Sequence, residues 1–213
     1  MKTLLVLGAT GLVGGQVLQR ALRDERVSSV VAPTRRALPT HSRLNNPIVD
    51  FEQLPEQADW WHCHAVICAM GSTRRKAGSA EAFQRADIDY PAHAATLARA
   101  AGATSLALTS SLGANSDSGN LYLRTKGMLE DRLADLGFRS LTILRPSIIA
   151  GERPESRPLE SVGLRALEWL EPLVPARYRS VAATDIADCL LARALADRAG
   201  LTIIESDEIA RQA

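Results

Sequence analysis

The sequence predicts an α/β protein, a parallel sheet with helices on both faces, and three observations carry that reading. Short apolar runs of strand length alternate with helical stretches of about 10–15 residues, the order expected of stacked βαβ units. The strand candidates are near-continuously apolar, as strands covered on both faces are. The first of them runs straight into a glycine-rich turn that opens the first helix.

Residues 3–7 form the first strand, and over residues 12–24 Val13, Val17, Leu18, Ala21 and Leu22 recur at helical spacing. Residues 27–32 make the second strand, Ile48–Val49 begins a short third, and residues 65–69 a fourth. Residues 80–101 read as an alanine-rich helix with a break expected near Pro91. "SLALTS" is a fifth strand, residues 121–136 a helix, and "SLTILRP" a sixth strand. Past Pro146 the alternation loosens into the polar "GERPESRPLE" and a helix candidate over residues 162–170. Thr184 reads as the N-cap of "DIADCLLARALAD", with Asp185 suited to the positive helix end, and "LTII" is the last strand. The whole of 1–213 is expected to be one domain, with 147–180 contributing a small substrate-pocket segment.

With 213 residues, 46% of them hydrophobic, the chain can bury one sizeable core. A net charge of +1, with acids and bases interspersed, leaves no basic stripe for nucleic acid. Three cysteines are too few and odd in number for a disulfide framework, which favours a reducing compartment. No apolar run approaches the ~18 residues that span a bilayer, so no membrane partner is expected. The amino terminus resembles a signal peptide, but its apolar stretch "LLVL" is soon punctuated by glycines, unlike a secretory core of ~7–15 residues. A cytoplasmic location follows as the expectation.

In "GATGLVG", Gly8, Gly11 and Gly14 follow the first strand. A pyrophosphate that approaches backbone N–H groups at a helix start requires such residues, because a Cβ would block the approach or the turn. The loop and helix start, from Gly8 and Thr10 through Gly11, Leu12, Val13 and Gly14, are therefore the cofactor cradle of a Rossmann-type, doubly wound sheet. The spacing is GxxGxxG, close to the dinucleotide fingerprint without reproducing it. Where an acidic residue would hold a ribose 2′-hydroxyl, the chain reads "APTRR". Arg35 and Arg36 can pair with a 2′-phosphate, which selects NADP(H) over NAD(H). Asp50 can accept a hydrogen bond from the adenine amino group. Gly71, after the fourth strand, permits close backbone approach in a loop whose Arg74, Arg75 or Lys76 suit an anionic substrate or partner.

"NLYLRTKG" places Tyr122 four residues before Lys126, on one helix face. The chain has only three Tyr and three Lys, and the chance of that spacing at random is roughly 0.04. A phenol's reference pKa of ~10 is high for proton exchange near neutrality, and an ammonium beside it favours the phenolate. The same lysine can hold the nicotinamide ribose. "LTSSLGA" supplies Thr109, Ser110 and Ser111 at the carboxyl end of a parallel strand, where such sheets present ligands. Ser111 is the preferred partner for the substrate oxygen, with Ser110 the alternative.

"GATGLVGG", "TSS" and "YLRTK" together resemble the short-chain dehydrogenase/reductase superfamily in its extended or atypical branch. "CAMGSTRRKAGSAEAFQRADIDY", "LYLRTKGMLE" and "LRPSIIAGERPESRP" are similar to the Tat-interactive-protein 2 group of NAD(P)-binding proteins, over roughly three quarters of the chain. The resemblance implies NADPH held by the glycine loop and the arginine pair, and a Ser–Tyr–Lys active site. It also implies that Pro146 and the residues after it lie near the nicotinamide.

"WWHCH" sets two histidines and a cysteine within three residues, but neighbours on a strand point to opposite faces, so no metal is expected. Cys68 reads as core, and "ERPESRP" as a flap over the pocket. The leading functional expectation is an NADPH-dependent carbonyl reductase acting on a small carbonyl substrate, as a monomer or as a homodimer through helices 81–101 and 121–136. The alternative is an NADPH-binding, redox-sensing regulatory module without turnover. A sugar-nucleotide epimerase or dehydratase is a weaker third reading, since such substrates usually need more carboxyl-terminal chain.

Overall fold

Successive side chains of a strand point to opposite faces, and that alternation lets one sheet serve two cores. The computed structural model describes residues 1–71, 78–151 and 175–212. Its first strand, β1 (Lys2–Leu7), sends Leu4 and Val6 to one core and Leu5 and Leu7 to the other. All four are fully buried, and each buried leucine is worth about 1.5–3 kcal/mol.

Around β1 lie β2 (Val27–Val31), β3 (Leu44–Asn45), β4 (Ala65–Cys68), β5 (Ser105–Thr109) and β6 (Ser140–Arg145). A two-stranded sheet of β7 (Ile149–Ala150) and β8 (Val181–Ala182) stands apart, and β9 (Gly200–Glu205) returns to the main sheet. The seven-stranded order is β3-β2-β1-β4-β5-β6-β9, and every pairing is parallel. The order reverses between β1 and β4, so their carboxyl ends open the crevice in which doubly wound sheets bind ligands.

Helices α1 (Leu12–Ala21) and α5 (Ala183–Ala196) cover one face, burying Val17, Ile186 and Leu190 against Leu4, Val6 and Ile67. The other face is covered by α3 (Tyr90–Ala100) and α4 (Leu121–Asp135). Ala94, Ala95 and Ala98 are fully buried and let α3 approach closely, beside Leu129 and Leu133 of α4. Ahead of α3 come a short α2 (Ala80–Gln84), capped by the Ser79 hydroxyl, and a five-residue π-helical stretch, Arg85–Asp89. The chain ends in α6 (Ser206–Gln212). Among the described residues no helix is long and apolar enough to cross a membrane.

Several expectations need correction. The third strand is Leu44–Asn45, while Ile48 contributes an isolated bridge to Thr34. Pro47 precedes it without an N–H, and Ile48 itself is exposed, so no ladder extends there. The helix over residues 80–101 is interrupted by the π stretch rather than at Pro91, which sits in the first turn of α3 where no N–H is needed. Thr184 does not cap α5. Ala182 occupies that position, no side chain closes the turn, and the Thr184 hydroxyl instead meets Asp185 at 3.1 Å. The final helix α6 was not foreseen, because its apolar content is too small for periodicity to register. The helix expected over residues 162–170 lies outside the described residues.

The loop after β5 rests on α4 at Gly127, where an added Cβ would lie 2.2 Å from the Ser116 nitrogen and 2.3 Å from the Asn115 carbonyl carbon. Backbone cannot yield as a flexible side chain can. Gly127→Ala is therefore expected to lower stability by about 1–3 kcal/mol in urea unfolding. An unchanged midpoint would show that the loop does not press on the helix.

Candidate active site

The turn from β1 into α1 is closed to side chains. Gly8 has φ +87°, and a Cβ on it would sit 2.5 Å from the Ala69 carbonyl oxygen. A Cβ on Gly14 would meet the Gly8 oxygen at 2.1 Å. Gly11 caps α1 in an extended conformation with no side-chain hydrogen bond, and its own N–H donates to Gly8 O at 2.9 Å. The first-turn amides of α1 are thus unclaimed by side chains at the carboxyl edge of the sheet, the arrangement that receives an anion. Thr10 is exposed and Leu12 half-buried. Val13 is buried in the core, so only its backbone is available to a ligand.

Beyond β2, Arg35 and Arg36 are both exposed, and neither forms an ion pair among the described residues. Their turn is pinned from below: the Thr34 hydroxyl donates to Arg36 O at 2.7 Å and accepts from Asn46 Nδ2 at 2.8 Å. Asp50 is exposed, and its Oδ1 accepts from the Glu52 N–H at 2.9 Å, closing a local turn.

The side chain of Asn120 accepts from the amides of Tyr122 and Leu123 and so starts α4. One turn later Lys126 points inward with its side chain only 5% exposed, while Tyr122 is 42% exposed. Lys126 Nζ lies 5.9 Å from the centroid of the Tyr122 ring and donates to Asp87 Oδ2 at 2.8 Å. Burial is the largest single influence and opposes the ammonium, but the charge and hydrogen bond of Asp87, together with Tyr122 and Cys68, raise the Lys126 pKa above its ordinary value. Phe83 stacks beside Tyr122 with ring centroids 6.4 Å apart. The backbone at Gly71 lies against the pair, since a Cβ there would be 3.4 Å from Nζ. Asp87 was missed in the sequence. Its signal was an acid between the apolar Ala86 and Ile88, four residues beyond Phe83.

The two serines diverge. Ser110 Oγ donates to Glu130, whose carboxylate also accepts from Arg145 Nε at 3.0 Å and from Arg145 Nη2. Those bonds hold the Arg145 guanidinium above its ordinary pKa. Ser111 Oγ has only a 3.4 Å contact to the Leu112 carbonyl, and the buried Thr109 hydroxyl has no partner among the described residues. Pro146 stands beside this loop, its carbonyl accepting from Leu112 N at 2.8 Å. Next to it the Ser147 hydroxyl meets Ser206 Oγ at 2.9 Å and donates to the Arg179 carbonyl, tying the segment to α6. Arg74, Arg75, Lys76 and the "ERPESRP" segment lie outside the described residues, as does most of 147–180.

In "WWHCH" the two histidines serve different neighbours. His64 Nδ1 accepts from Thr3 N at 2.9 Å, and His62 Nδ1 lies 3.0 Å from Asp59 O. Burial pushes the thiol of Cys63 up to about 12 and that of Cys68 up to about 11, and Cys189 is buried too.

The chain is 40% identical to Protein HTATIP2 of Rattus norvegicus over 164 residues, covering 75% of this chain and 67% of that protein. It is 39% identical over 166 residues to Protein FMP52, mitochondrial, of Lodderomyces elongisporus, covering 73% and 70%. Among solved structures, MoeE5 in complex with UDP-glucuronic acid and NAD superposes with a TM-score of 0.72 at 19% identity, over 95% of this chain and 75% of that one. WbmH of Bordetella bronchiseptica in complex with NAD+ gives 0.69 at 16% identity, over 97% and 76%. At those identities the likeness is one of fold. No family model matches the sequence. The fungal relatives are named mitochondrial, which overturns the cytoplasmic expectation.

Glu130 is 5% exposed and holds both Ser110 and Arg145, so its truncation strands a guanidinium and a hydroxyl. Glu130→Ala is expected to cost about 3 kcal/mol in urea unfolding, the low end for a broken buried pair because Arg145 retains some access to water. A cost under about 1 kcal/mol would place the pair in the weak, surface class.

Proposed function

The chain belongs to the family of the HTATIP2 and FMP52 proteins, within the atypical branch of the NAD(P)-binding short-chain dehydrogenases/reductases, and on that premise we propose that it is an NADPH-dependent carbonyl reductase. One observation carries the reading: a half-exposed phenol and a buried ammonium, 5.9 Å from ring centroid to nitrogen, share a helix face beside the glycine turn. The donor set suits a dinucleotide, with the uncapped first turn of α1 for pyrophosphate and two exposed guanidiniums, Arg35 and Arg36, without an ion pair among the described residues, for a 2′-phosphate. Asp50 accepts from the adenine amino group, Gly71 gives close backbone approach, and Pro146 flanks the nicotinamide.

When bound, the cofactor supplies a hydride to the carbonyl carbon. Tyr122 Oη gives its proton to the carbonyl oxygen, completing an alcohol. Ser111 holds that oxygen by a hydrogen bond, since Ser110 is occupied by Glu130. Lys126 spends one of its three donors on Asp87 and keeps two for ribose hydroxyls. The substrate is a small carbonyl compound, admitted by 147–180 within a single domain that works as a monomer or a homodimer.

The alternative, an NADPH-loaded sensor without turnover, would have to sense through the nucleotide, because all three thiols are buried. Tyr122→Phe separates the two. The reductase reading predicts NADPH affinity within about twofold of the original protein and NADPH oxidation across a carbonyl panel reduced by about 10²-fold or more. Undiminished turnover would reject Tyr122 as the proton donor. An original protein that oxidises no NADPH, yet changes a partner's affinity when loaded with it, would establish the sensor. For the arginine pair, replacing both Arg35 and Arg36 by alanine should weaken NADPH about tenfold or more and leave NADH unchanged. Equal losses for both nucleotides would refute the 2′-phosphate role.

A further inference from the structure

The two edges of the main sheet are unlike. At one, β3 is two residues long and offers little to pair with; at the other, β9 runs for six residues in unbroken register beside β6. Side chains alternate along a strand, and Ile204 on one face of β9 is 1% exposed, in the core shared with α5 and α6. Leu201 and Ile203 lie on the other face, in register with Leu141 and Ile143, which are buried in the core shared with Leu133 of α4. Yet Leu201 is 56% and Ile203 42% exposed, because no helix among the described residues covers β9 on that side.

Backbone is open along the same edge. Gly200 N donates to Arg139 O at 2.8 Å, so the parallel ladder engages Gly200, Thr202 and Ile204 and turns the N–H and C=O groups of Leu201 and Ile203 away from β6. Those groups meet no further strand, for β9 ends the sheet order. The devices that usually protect an edge are missing: Gly200–Glu205 contains no proline, no lysine and no bulge.

We propose, independently of the reductase reading, that β9 is an interaction surface for a second copy of this chain, joined edge to edge and antiparallel about a twofold axis. The strand is complementary to itself. With Thr202 on the axis, Leu201 of each copy lies opposite Ile203 of the other, apolar against apolar on one shared face. Both residues carry outward N–H and C=O groups, so each such pair exchanges both of its N–H···O bonds. A register shifted by one residue would set each apolar face against the wrong side of its partner. Charge agrees with this arrangement. The exposed Arg198 stands before the strand with no ion pair among the described residues, while Glu205 and Asp207 stand at its far end. Antiparallel pairing brings each basic end to the other copy's acidic end, whereas parallel pairing would set like charges together.

Sedimentation velocity on the full chain should show a reversible monomer–dimer equilibrium with Kd between about 1 and about 100 µM, in keeping with a small interface. A chain that stays monomeric up to about 500 µM overturns the proposal. Leu201→Lys, at an exposed position, should weaken dimerisation about tenfold or more, while Arg132→Glu on the outward surface of α4 should change it by less than about twofold. Urea unfolding of both variants verifies that each is folded. The opposite ranking would put the interface on the helices and defeat the β9 surface. Register is read by cross-linking. Thr202→Cys sets its two sulfurs across a non-hydrogen-bonded pair whose Cα atoms lie about 4.5 Å apart, within disulfide reach. On a non-reducing gel after mild oxidation, Thr202→Cys should run as a covalent dimer. Leu201→Cys and the unaltered protein, whose three cysteines are buried, should run as monomers. Any other pattern of cross-links would overturn the pairing about Thr202.

Discussion

The turn between β1 and α1 leaves no space for side chains, and the carboxyl edge of the sheet is arranged around that constraint. Gly14 closes on Gly8, Gly8 closes on Ala69 at the end of β4, and two residues later Gly71 lies against the Lys126–Asp87 pair. A line of backbone contacts therefore runs from the start of α1 to the ammonium. The first-turn amides of α1 and the Lys126 ammonium are thus linked through the backbone of Gly8, Ala69 and Gly71, with the Asp87 carboxylate holding the ammonium at the far end. Backbone packed on backbone has few alternative arrangements, so this spacing is insensitive to surface substitutions elsewhere.

Helix α4 transmits the same order to the polar groups. Tyr122, Lys126 and Glu130 stand one turn apart, and each finds its partner on a different element: Phe83 before the π stretch, Asp87 within it, Ser110 and Arg145 at the ends of β5 and β6. Ion pairs buried this deeply recover little net free energy, because desolvation offsets attraction. Their contribution is registry. One helix locks two strand ends and a neighbouring helix at the edge where a ligand would lie, and the same locking turns Ser110 away from Ser111.

Much of this was legible in the sequence, for identifiable reasons. Parallel strands buried on both faces announce themselves as apolar runs, and six of the seven main-sheet strands fell near their expected places. The Tyr122–Lys126 spacing stood out because tyrosine and lysine are rare in this chain. What remained hidden depends on distant partners. Nothing local in "RADID" shows that Asp87 meets a lysine 39 residues away, and nothing in "TSS" shows which hydroxyl Glu130 takes. The third strand was misplaced because a two-residue pairing such as Leu44–Asn45 leaves no periodicity to read. Thr184 looked like a cap because it has the right side chain, yet the chain had already entered the helix one residue earlier.

The π stretch has a bearing on how this chain can vary. An α-helix turns about 100° per residue, so an extra residue re-phases whatever precedes it against whatever follows. Ahead of the insertion, Phe83 is aligned to the phenol; behind it, Ala94, Ala95 and Ala98 are aligned to the sheet. Removing one residue from 85–89 would leave a regular helix able to satisfy one alignment or the other, never both. Length itself is constrained here, and a gap in this short span would be more disruptive than many changes of residue type.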